Sequence, residues 1–190
     1  MKQAISNTNR NYPTLRVAEQ TTNNHFSQLV NTAWTFASTA LWNTTVFSEA
    51  EIQRAKALIA EYLNNEATDN AFLVFCQRVL LARHYITSQP GRYIPLPSVW
   101  LDQNNKLGFA GTGAWYDRIT TIREAVPGYK TGIKAFAQAL LELTNQPSSA
   151  AHYNYWKNYF IDHQSPGLLS LFQATVIQQF YNSSSNKNQH

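Results

Sequence analysis

The run FSEAEIQRAKALIAEYLNN, residues 47–65, decides the fold class. Ser48 and Glu51 have the spacing of a capping box, in which the serine side chain receives a backbone N–H of the first turn and the glutamate reaches back. Phe47 and Ile52 stand at the two positions of a hydrophobic staple around that cap. Beyond it Ile52, Ala55, Ile59, Tyr62 and Leu63 recur at three- and four-residue steps, one face of a helix, and leave Glu49, Arg54, Lys56 and Glu61 for water. Asn64-Asn65 closes the segment.

The same period extends in both directions. Upstream, Phe26, Leu29, Val30, Ala33, Trp34, Ala37, Ala40 and Leu41 predict a helix from about Asn23 to Trp42. Residues 1–22 are polar, rich in Asn and Thr with a proline at position 13, and read as a loosely ordered N-terminal segment. Downstream, the stretch from Asp69 to about Thr87 is apolar around most of its girth, with Phe72, Leu73, Phe75, Cys76, Val79, Leu80, Ala82 and Ile86, which predicts a central helix.

Residues 90–113, PGRYIPLPSVWLDQNNKLGFAGTG, interrupt the pattern with three of the seven prolines and four of the seven glycines. Loops longer than about 12–15 residues are more often functional than plain connectors. Tyr93, Ile94, Leu96, Val99, Trp100, Leu101 and Phe109 make this one too apolar for a solvated tether. Tyr93-Ile94 and Val99-Trp100-Leu101 are also compatible with a short extended pair.

After the insertion, Trp115, Ile119, Ile122 and Val126 predict a short helix that Pro127-Gly128 ends. Thr131 is placed to cap a helix running to Pro147, and Ser148 to open the next. That helix is unusually aromatic: Tyr153, Trp156 and Phe160 share one face, Tyr155 and Tyr159 another. Ser165-Pro166 is a cap followed by proline at the first helical position, and the last helix continues to about Tyr181. Residues 182–190 read as a polar tail. The whole predicts an all-α single-domain bundle of about seven helices (23–181), with the 90–113 insertion between the third and fourth helices.

Composition narrows the function classes. The chain has 190 residues, 44% of them hydrophobic and 14% charged, as expected of an ordinary globular domain. Cys76 is the single cysteine, so an internal disulfide and any zinc site needing two thiolates are excluded. With neither a secretory signal pattern at residues 1–14 nor a membrane-length apolar run, the expectation is a soluble, cytoplasmic protein with no membrane partner. Eight bases and three acids lie between Arg78 and Lys134, a surplus of five, whereas the chain as a whole carries +4. The positive excess therefore lies in and around the insertion.

Candidate anion- or partner-binding residues follow from that asymmetry: Arg78, Arg83, Arg92, Tyr93, Trp100, Lys106, Gly111, Gly113 and Arg118. Bases tracking phosphates beside rings that stack on bases is how single-stranded nucleic acid is bound, and Trp115 and Lys130 fit the same scheme. Glycines 108, 111 and 113 just ahead of a predicted helix can offer backbone N–H groups to an anion, although their spacing is neither a dinucleotide fingerprint nor a phosphate-binding P-loop. The opposing reading gives arginine stems and tryptophans a packing role that anchors the insertion to the bundle.

No cofactor motif appears, and none of the five histidines is spaced to share a helix face with another as metal ligands. Cys76, on the most apolar helix, reads as a small buried side chain. Three function classes remain: a non-enzymatic protein-interaction module, a nucleic-acid-associated protein, or a small-molecule enzyme using His84, Asp102 or Tyr93 beneath the insertion. A protein partner or a homo-oligomer built on the aromatic helix fits the first.

Overall fold

Threonine and alanine, rather than leucine, determine which helix is central. The computed structural model describes residues 12–43, 45–64, 68–88, 95–102, 129–145 and 149–187. Seven helices occupy them, with no strand among the described residues: α1 (Tyr12–Leu41), α2 (Glu49–Asn64), α3 (Thr68–Ser88), α4 (Pro97–Leu101), α5 (Tyr129–Asn145), α6 (Ala150–Asp162) and α7 (Pro166–Lys187). The fold is all-α, as the periodicity predicts.

Residues 32–37 of α1 are buried without a break. Six consecutive residues exceed one helical turn, so that stretch is covered on every side. Its neighbours are α2, α3, α5 and α7. Ala33, Ala37 and Ala40 let those helices approach closely, while Thr32, Thr35 and Thr39 enter the core without an orphaned hydroxyl. Each donates to its own helix one turn back: Thr32 to Gln28 O at 3.0 Å, Thr35 to Asn31 O at 2.9 Å, Thr39 to Thr35 O at 2.7 Å. α3, expected to be central, buries Ala71, Phe72, Phe75, Cys76, Val79 and Leu80 against α1, α2 and α5, and none of its residues 71–80 is exposed.

A column of rings joins α1 to the C-terminal helices. Phe36 meets Phe136 at 5.0 Å between centroids, Phe136 meets Phe160 at 6.2 Å, and Phe160 meets Phe172 at 5.5 Å. All four are fully or almost fully buried. Tyr153 stacks on Phe172, so α6 turns Tyr153, Trp156 and Phe160 inward as its spacing predicts, and leaves Tyr155 exposed. The Trp156 indole N–H donates to Glu142 Oε2 at 2.6 Å, tying α6 to α5. Thr32, Thr144 and Gln179 form a polar node between α1, α5 and α7: Gln179 Nε2 and Thr144 Oγ1 both donate to Thr32 Oγ1.

Helix boundaries depart from the sequence reading at several points. α1 begins at Tyr12 rather than near Asn23, and α7 runs past Tyr181 to Lys187, so parts of both polar end segments are helical. Polar residues at a helix end need no apolar face to continue the turn, and periodicity is blind to them. Thr131 lies inside α5, which starts at Tyr129. Ser149, not Ser148, caps α6, its Oγ accepting from His152 N. Pro166 does open α7. The helix expected around Trp115–Val126 lies outside the described residues. No helix among the described residues is long and apolar enough to cross a membrane.

Candidate functional site

Of the insertion, residues 95–102 are described, and their construction starts with two prolines. Leu96, preceding Pro97, is held extended (φ −54°, ψ 149°), the conformation that a following proline ring favours. Pro97 then starts α4 at the position where a missing N–H costs nothing. Val99 N and Trp100 N both donate to Leu96 O at 3.0 Å. The stretch Val99-Trp100-Leu101 is therefore helical, not the extended strand its residue types allow.

This strap is fastened at the N-terminal end of α2. Ser48 Oγ accepts from Glu51 N at 3.2 Å, the first half of the expected capping box. The second half is diverted: Glu51 Oε1 accepts the N–H of Ser98 at 2.8 Å, while Oε2 lies 3.8 Å from Arg54. A carboxylate at the first turn of α4 suits the positive end of its peptide dipoles. A second fastening comes from Trp42, just past α1, whose indole N–H donates to Pro95 O at 3.1 Å. Trp42 meets Trp100 edge-on at 5.9 Å and Phe47 at 6.2 Å, and Phe47 in turn meets Trp34 at 6.1 Å.

The strap has two unlike faces. Pro97, Ser98, Trp100 and Leu101 are buried, Trp100 at 3% exposure. Leu96 and Val99 are 50% and 46% exposed, and Val46, two residues before the α2 cap, is 96% exposed. Burial of a large apolar side chain contributes about 1.5–3 kcal/mol, so Trp100 and Leu101 hold the strap down strongly.

Of the sequence-based candidates, Arg78, Arg83 and Trp100 lie within the described residues. Trp100 is corrected from a stacking platform to a core residue, because its ring is spent on Trp42. Arg83 is half-buried and donates from Nη1 to Ala40 O at 3.2 Å, satisfying a carbonyl in the last turn of α1. Arg78 is half-buried on α3, and five residues along a helix place it about 140° around the axis from Arg83. Arg92, Tyr93, Lys106, Gly111, Gly113, Arg118 and Trp115 lie outside the described residues.

Of the residues offered for enzymatic chemistry, Asp102 is partly exposed at the C-terminal end of α4, and Tyr93 lies outside the described residues. No group of three or more His, Cys, Asp or Glu side chains converges among the described residues. Cys76 is buried, and desolvation pushes its thiol well above the ordinary range, as for an unreactive core thiol.

Sequence reasoning missed Trp42 and Glu51 as anchors, and Leu96 and Val99 as the outward pair. Proline spacing was the available signal: Pro95-x-Pro97 fixes where the short helix begins, and from there Leu96 and Val99 fall on one side of it. No family model matches the chain, no curated protein matches its sequence, and no solved structure matches its fold.

Proposed function

We propose that the chain is a non-enzymatic helical protein-interaction module whose contact surface is the outer face of the strap, carried by Leu96 and Val99. One observation supports this reading: a short helix whose inner residues are buried and hydrogen-bonded leaves two large apolar side chains half in water. Apolar side chains held in place beforehand cost less to order on association than the same residues on a loose chain. Val46, at the same end of α2, adds further apolar area for a partner to cover.

A photocrosslinking residue at Val99, with one at exposed Lys134 as the control, tests the proposal in extract of the source cells. A discrete protein adduct from position 99 that is absent from position 134, and is lost with Leu96→Asp, is the expected result. No adduct, or the same adducts from both positions, overturns it.

The nucleic-acid reading has less support, since Arg83 is engaged with Ala40 and Trp100 is covered. A titration with single- and double-stranded nucleic acid at two salt concentrations decides that alternative, because phosphate contacts weaken steeply as salt rises.

A further inference from the structure

We draw no further inference here: the strongest candidate, the apolar patch that Leu96 and Val99 form on the outer face of α4, belongs to the site already described, and nothing in the structure shows what covers it.

Discussion

Replacing Thr32 by valine probes the polar node on which α1, α5 and α7 converge. The shapes of the two side chains match, so no cavity opens, and the effect reports the hydroxyl. Thr32 Oγ1 donates to Gln28 O and receives Thr144 Oγ1 at 2.8 Å and Gln179 Nε2. Each such bond contributes about 1 kcal/mol net, and the added methyl returns about 0.8 kcal/mol. Thr144 is not stranded, because its hydroxyl turns to Leu140 O, also at 2.8 Å. The expected loss for Thr32→Val is therefore about 1–2 kcal/mol, a fall in Tm of roughly 3–6 °C for a chain of this size. Thr144→Val leaves Thr32 bonded to Gln28 and Gln179 and should cost less than about 1 kcal/mol.

Urea unfolding followed by far-ultraviolet circular dichroism supplies the comparison. Because the two residues share a bond, the double variant should fall short of the summed single losses by about 0.5–1 kcal/mol. Thr32→Val with wild-type stability, or strictly additive losses, refutes the assignment of Thr32 as the hub.

Three further outcomes are expected. Glu142→Leu leaves the Trp156 indole N–H without its 2.6 Å acceptor and should cost about 1.5–3 kcal/mol in the same urea assay, whereas Glu142→Gln retains an acceptor and should cost less than half of that. Cys76 is buried with its thiol pushed up, so the unfolded thiol ionises first as pH rises and the folded state loses relative stability above the ordinary thiol range. Unfolding curves from pH 7 to 10 should show Cys76→Ala declining less steeply than wild type; parallel curves refute the assignment. At Gly132 a Cβ would stand 3.0 Å from Leu168 Cδ1, the movable end of a side chain. Gly132→Ala should stay within about 0.5 kcal/mol of wild type, helix propensity offsetting the crowding, while Gly132→Leu should lose about 1–3 kcal/mol by thermal melting.

The helices were legible because their apolar faces obey a period: Ile52, Ala55, Ile59 and Leu63 behave as their spacing requires. The central position of α1 was not, because hydropathy counts Thr32, Thr35 and Thr39 as polar. A threonine that bonds its own helix one turn back loses that polarity, and nothing in a one-dimensional pattern records the bond. Glu51 teaches a related lesson. The capping box identified the residue and the helix start, yet the carboxylate serves a backbone N–H forty-seven positions away. Long-range partners of this kind depend on packing that local spacing does not encode.

Charge asymmetry was the weakest guide to the site. It drew attention to the insertion and named Arg83, which holds a helix carbonyl, and Trp100, which fills the core. The residues left outward, Leu96 and Val99, are uncharged and entered the sequence reading only as apolar anchors of the insertion. Their exposure follows from the helical turn that Pro97 begins and from the burial of Trp100 and Leu101 on its other side.

The central claim is that the strap lies with one face packed and the other offered, and adjacent positions on it distinguish the two. Ser98→Cys and Val99→Cys, each in the chain that retains buried Cys76, are labelled with a thiol reagent under native conditions. Val99→Cys should react at least about a hundredfold faster than Ser98→Cys, with the unsubstituted chain slower than either; equal rates at positions 98 and 99 would contradict the two-faced strap.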